Sequence, residues 1–203
     1  MTTYQTLLVS EEDGVLNIVF NRVKERNALS LAMVQEIETV LSQEAERESV
    51  RVIVFSGNGK HFCAGGDIKD MSKARMSKSD AHDPIAELNR RFGTLITRVQ
   101  NFPKPVVMLV QGAAMGGGFG LVCVADVVIA DNSAKFRLPE TSLGIIPAQI
   151  APFLVYRLGL AKSRRLALTG AKLTATQAHQ EGLVDILCTD TEEAKRELLT
   201  TML

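Results

Sequence analysis

The chain has 203 residues, 46% hydrophobic and 23% charged, the proportions of a water-soluble globular protein with one sizeable core. Lys plus Arg and Asp plus Glu number 23 each, for a net charge of zero. This balance excludes a general electrostatic pull towards nucleic acid or an anionic membrane, so any polyanionic ligand has to be met by a local cluster. Cys63, Cys123 and Cys188 are scattered without CxxC spacing and fit reduced thiols in a cytoplasmic protein. The first five residues carry no basic stretch before an apolar run, so no signal peptide is expected. No apolar run approaches the length of a membrane span.

In chain order, the β-rich run 15–20 between Gly14 and Asn21 predicts a strand. Ser30 then reads as the N-cap of a helix with Leu31, Val34, Ile37, Leu41 and Ala45 on its apolar face. Residues 51–55 form the next expected strand, ended by the turn 56–59. The stretch 72–84, rich in Ser, Lys, Arg and Asp, reads as a mobile loop. Leu88, Phe92, Leu95 and Ile96 give 85–99 a helical period, and Pro103 and Pro105 precede a strand at 106–111. A glycine cluster leads into 119–125, followed by a short strand at 127–130. Helical stretches at 152–158, 163–168 and 174–180, a strand at 183–187 and a helix after Thr191 complete the pass. Alternating strands and helices argue an α/β layer fold, read as a single domain over 1–203.

Several glycine and histidine motifs fail on spacing. From Gly116 a dinucleotide fingerprint would need a third glycine where Leu121 stands, and Gly117-Gly118-Phe119 lacks the Lys-Ser/Thr of a P-loop. Ser142 follows Glu140-Thr141, so no GxSxG elbow exists. Cys63 beside His61 lacks the third member of a nucleophile, base and orienter, and reads as a buried structural thiol. His61, His82 and His179 have no metal-ligand spacing.

Two strand-to-helix junctions remain, His61-Phe62-Cys63-Ala64-Gly65-Gly66-Asp67-Ile68 and Gly112-Ala113-Ala114-Met115-Gly116-Gly117-Gly118-Phe119-Gly120. At such junctions the first helical N–H groups have no intrahelical partner, and glycine lets a ligand approach them closely. The helix starting near Gly117 would add its positive dipole end. Two such donors meeting one oxygen would form an oxyanion hole, each contributing about 3 kcal/mol to transition-state stability. Tight turns and close helix packing account for the same glycines, so the residues alone leave both readings open.

At these residues the chain resembles the crotonase, or enoyl-CoA hydratase/isomerase, superfamily. Arg26-Asn27-Ala28-Leu29 is similar to its early coenzyme A turn, and Phe62 to Ile68 to its first oxyanion loop. Gly116-Gly117-Gly118 is similar to the start of its second oxyanion helix. Leu138-Pro139-Glu140 with Leu143-Gly144-Ile145-Ile146-Pro147 is similar to its catalytic-carboxylate segment. The resemblance implies a spiral of ββα units assembled as a homotrimer or hexamer, with further C-terminal helices beyond Leu203. It implies that the N–H groups of Gly66 and Gly117 hold a thioester oxygen and that Glu140 moves protons. Ala28, Ala64, Asp67 and Ile68, beside Gly65, would line the coenzyme A path through their backbone. Lys24 and Arg26 are phosphate partners by the same resemblance, or simply solvated turn charges. Asp67 has a second reading, as a cap that packs the loop. No separate cofactor is implied, because coenzyme A is part of the substrate.

Departures from the family pattern narrow the reaction. Many family hydratases carry a first glutamate where Gly120 stands, which leaves Glu140 as the one carboxylate placed in the site. A side-chain-free Gly120 is expected to leave room for a branched acyl group. Ala148-Gln149-Ile150-Ala151-Pro152 replaces a glycine-rich turn and is expected to reshape the acyl end. The phrases 115–121 and 138–144 are most similar to the isohexenylglutaconyl- and methylglutaconyl-CoA hydratase branch. The expected activity is therefore hydration of a branched, glutaconyl-type enoyl-CoA. Isomerisation of an enoyl-CoA double bond and silent acyl-CoA binding are the alternatives.

Overall fold

The computed structural model describes residues 3–77 and 83–203. Its strands are β1 (Leu7–Glu12), β2 (Val15–Phe20), β3 (Val52–Gly57), β4 (Val106–Val110), β5 (Ala113–Met115), β6 (Val127–Asp131), β7 (Lys135–Arg137), β8 (Lys172–Thr174) and β9 (Ile186–Cys188). Its helices are α1 (Leu31–Glu44), α2 (Ile68–Met76), α3 (Pro84–Gln100), α4 (Gly117–Cys123), α5 (Ala151–Leu158), α6 (Leu160–Thr169), α7 (Ala175–Glu181) and α8 (Thr191–Met202).

A six-stranded sheet runs β1-β2-β3-β4-β6-β9, parallel except for the β1–β2 hairpin. Successive side chains of a strand face opposite sides, and the two sides meet different cores. Ile53 and Phe55 of β3, Met108 of β4 and Val128 of β6 enter the larger core with α1, α3 and α4. Val52, Val54, Val107, Leu109 and Ile129 enter a smaller one covered by Ala194, Leu198 and Met202 of α8. Burial on both faces explains why these strands read as unbroken apolar runs.

A smaller sheet, β5-β7-β8, forms a second layer. Two isolated parallel bridges, Leu29 to Gly66 and Cys63 to Ala114, extend its pattern. Each turn of the chain therefore passes from a long strand to a short extended segment and then to a helix. That is the ββα spiral implied by the resemblance, and it stacks the segment-to-helix junctions of successive turns beside one another.

Several expected boundaries move. Ser72 to Met76 belong to α2, not to a loop; the rest of the expected loop falls largely on 78–82, outside the described residues. The last strand begins at Ile186, while Leu183 and Val184 are buried ahead of it. On α1, Ser30 Oγ accepts the Met33 N–H at 3.2 Å as expected of an N-cap. Met33, Val34, Ile37, Val40 and Leu41 are buried there, whereas Leu31 lies at the surface. Among the described residues no helix is long and apolar enough to cross a membrane.

Candidate active site

The first junction is anchored by Phe62, which is fully buried with its ring 5.3 Å from that of Phe20. Such a pair contributes about 0.5–1.5 kcal/mol beyond area burial. Cys63 then stitches the two junctions together: its N–H donates to Ala113 O at 2.8 Å and its C=O accepts the Met115 N–H at 2.9 Å. Burial pushes the Cys63 thiol up to about 12, so it stays protonated and inert as a nucleophile, as expected of a structural thiol.

The orientation of the Gly66 N–H follows from its peptide plane. Leu29 donates its N–H to Gly65 O at 2.8 Å. In a trans peptide the C=O and N–H point in opposite directions, so this bond turns the Gly66 N–H away from Leu29. Among the described residues that N–H meets no acceptor, and Gly66 is exposed. The second junction works alike. Gly116 donates to Arg137 O at 3.0 Å and accepts the Gly120 N–H at 2.9 Å, which fixes the Gly116–Gly117 peptide. The Gly117 N–H therefore points out of the start of α4, also without an acceptor among the described residues.

Glu140 opens a 3-10 turn, Glu140–Leu143, directly after Pro139. Gly116 has φ 49°, and a Cβ there would lie 3.1 Å from Glu140 Oε1 and 3.8 Å from Gly65 Cα. Only glycine combines that backbone with that approach. Gly65, Gly116 and the Glu140 carboxyl group thus lie against one another, one residue from each uncommitted N–H. The other oxygen, Glu140 Oε2, is buried with no hydrogen-bond partner among the described residues. The nearby Arg137 guanidinium is engaged elsewhere, with Nε on Gly170 O and one Nη on Ser142 Oγ, both at 2.9 Å. Burial raises the Glu140 pKa, partly opposed by its own backbone N–H.

The expected coenzyme A path is only partly free. The Ala28 N–H donates to Glu25 O, and the Ala28 carbonyl accepts Arg22 Nη1 at 2.5 Å. The Asp67 N–H goes to Leu29 O and its C=O to the Met71 N–H. Ala64 spends its N–H on Arg26 O. The Ala64 carbonyl and the Ile68 N–H make no bond among the described residues. The Asp67 side chain takes the capping role: Oδ1 accepts the Lys69 N–H at 2.8 Å, and Oδ2 pairs with Arg22 at 2.7 Å. Burial works against this carboxylate, but Arg22 and the α2 N–H groups outweigh it and hold its pKa below the usual value. Lys24 and Arg26 are exposed and make no ion pair among the described residues. The charges of Arg26 and Lys60, after burial itself, lower the His61 pKa, so three cationic side chains lie around this turn.

Gly120 corrects an expectation. A Cβ there would meet Ile150 Cγ1 at 2.9 Å, Ile96 Cδ1 at 3.0 Å and Phe92 Cζ at 3.4 Å. The missing side chain leaves close packing, not room for a branch or a place on the substrate path. Ile150, from the segment expected to reshape the acyl end, is one of the residues that fill it. Gly120→Glu should accordingly destabilise the fold by about 1–3 kcal/mol through overpacking, read as a lower urea midpoint. An unchanged midpoint would show that α4 accommodates the side chain.

Sequence reasoning missed Arg22 and the side chain of Asn27, which tie the junction to the preceding turn, and Phe92, which borders Gly117. Asn27 stood inside the quoted turn, and its type, tolerant of positive φ, was the available signal. Among the described residues no group of three or more His, Cys, Asp or Glu is placed to hold a metal ion; His82 lies outside them.

A family model described as enoyl-CoA hydratase/isomerase matches residues 10–203. The chain is 37% identical over 179 residues to 2,3-dehydroadipyl-CoA hydratase of Escherichia coli K12, covering 88% of this chain and 67% of that protein. It is 34% identical to 1,2-epoxyphenylacetyl-CoA isomerase of the same organism, covering 88% and 68%. The chain thus spans about two thirds of these relatives. The solved structure of Pseudomonas aeruginosa AtuE superposes with a TM-score of 0.94 at 49% identity, covering 98% of this chain and 77% of that one. With the match running along nearly its whole length and the crotonase fold in place, the chain belongs to the enoyl-CoA hydratase/isomerase family.

Proposed function

We propose that the chain adds water to a branched, glutaconyl-type α,β-unsaturated acyl-CoA, with Gly66 and Gly117 as oxyanion donors and Glu140 as acid and base. The observation that carries this reading is the buried Glu140 Oε2, without a partner among the described residues, on a carboxyl group packed against the residue before Gly117. A carboxylate whose pKa is raised towards the working range makes a better proton carrier at neutral pH. Glu140 takes a proton from water as the oxygen adds to the β-carbon, and the electron pair of the double bond moves to the thioester oxygen. The two N–H groups bind that enolate more tightly than the ground-state carbonyl, which lowers the barrier. Protonated Glu140 then returns the proton to the α-carbon. Lys24 and Arg26 would meet the coenzyme A phosphates, and the Ala64 carbonyl and Ile68 N–H would line the path.

The glutaconyl-type substrate rests on the phrases 115–121 and 138–144; room at Gly120 no longer supports it. Isomerisation is the second reading, favoured by the same single carboxylate, which suits a shuttle between two carbons. The test is turnover of crotonyl-, glutaconyl- and 3-methylglutaconyl-CoA, followed by loss of the conjugated thioester absorbance. Highest kcat/KM on the methylglutaconyl thioester supports the proposal. Double-bond migration without water uptake replaces it with the isomerase reading, and binding without turnover of any thioester removes both.

A further inference from the structure

Asn27 is fully buried and lies in the left-handed region at φ 56°, directly after Arg26 at φ 51°. Asparagine tolerates that region better than most residues. Its carboxamide is fully engaged. Oδ1 accepts the Arg22 N–H at 2.9 Å, and Nδ2 donates to Asn58 O at 2.9 Å and to His61 O at 2.7 Å. Two carbonyls on one end and an N–H on the other leave only one orientation of the amide.

The His61 contact changes how the first oxyanion loop is held. Two residues on, Cys63 O takes the Met115 N–H; by the same spacing His61 O would take that of Ala113. The ladder slips by one residue there, with the Phe62 N–H on Gln111 O at 2.8 Å and the Ala113 N–H on His61 Nδ1 at 3.2 Å, and His61 O accepts from Asn27 Nδ2 instead. Arg26 O accepts the Ala64 N–H at 3.0 Å. The turn holding Lys24 and Arg26 is thereby clamped to the chain on both sides of Phe62, four residues before Gly66.

We infer that Asn27 is a positioning residue: its buried carboxamide sets the loop bearing the Gly66 N–H against the turn that meets the coenzyme A phosphates. This rests on the reading of Gly66 as an oxyanion donor. The N–H and the phosphate partners bind opposite ends of one ligand, so a shift between them misplaces the carbonyl without abolishing binding. A misplacement of about 1 Å costs on the order of ten- to a hundredfold in rate.

Asn27→Asp keeps the shape and the Arg22 bond but loses both donors, and Asn27→Gly keeps the positive φ and loses every side-chain bond. Both are tested in the full chain, with folding followed by circular dichroism. The probe is butyryl-CoA labelled with ¹³C at the thioester carbonyl, read by isotope-edited infrared difference spectra. In the parent chain the bound carbonyl stretch should move to lower frequency. In the folded variants that shift should be largely lost while the complex still forms, with kcat down about tenfold or more and KM changed far less. A full shift retained in folded variants overturns the proposal and leaves the oxyanion reading standing. No shift in the parent chain overturns both. Failure of both variants to fold also overturns it, because the carboxamide would then hold the fold and not the loop.

Discussion

Glu140→Gln should lower kcat by roughly two to four decades, because the amide keeps the shape and hydrogen-bonding reach of the carboxyl group but cannot carry the proton. Near-normal turnover would mean that water or another group moves the proton. The same variant has an opposite effect on stability. Burial raises the folded-state pKa of Glu140 above its unfolded value, so the acid form is the one the fold favours. The corresponding stability is fully present below the unfolded pKa and is lost as pH rises through the folded one. Glutamine has no such loss. Urea midpoints should therefore fall for the parent chain relative to Glu140→Gln as pH rises through this window, and the difference between the two should be flat below it. A parallel pair of curves would show that Glu140 ionises in the fold without penalty.

The parts of this fold that were legible in the sequence share one property, a regular burial pattern. β3 and β4 are apolar on both faces, and α1 and α3 present apolar stripes, so period alone placed them. The elements that were missed lack such a stripe, though α8 and β9, which bury little, were still expected near their places. In β1 only Leu7 is buried, β5, β7 and β8 are three residues long, and α2 buries no residue at all. The site divides along similar lines. Gly66, Gly117 and Glu140 stood in recognisable phrases, yet nothing local said that Glu140 Oε1 would pack against Gly116, since that contact depends on how the turns of the spiral stack. Gly120 was misread because its lack of a side chain was taken as empty space. Ile96 and Ile150 fill that space from positions at least 24 residues away in the chain. The links of Asn27 to Asn58 and His61 also cross more than 30 residues, and a polar contact of that range leaves no periodic trace.

Gly117→Pro tests the second oxyanion donor by deleting its hydrogen. Proline suits the first turn of a helix, where its missing N–H breaks no helical bond. It normally forces the preceding residue into an extended conformation, and Gly116 has φ 49° and ψ −116°. Those angles mirror the polyproline region, which an achiral residue adopts as readily as the original, so α4 should tolerate the ring's demand on its neighbour. Bulk is the remaining confounder, because a Cβ at this position would lie 2.9 Å from Leu29 Cδ1 and 3.3 Å from the Phe92 ring. Gly117→Ala carries the same Cβ and keeps the N–H, so it measures that crowding by itself. The proline variant should lose about a hundredfold or more in kcat beyond the alanine variant, the usual effect of removing one preorganised oxyanion donor. Affinity for free coenzyme A, which has no thioester carbonyl, should change much less in both. Equal kcat in the two variants would show that crowding explains the loss and that the Gly117 N–H does not hold the developing oxyanion.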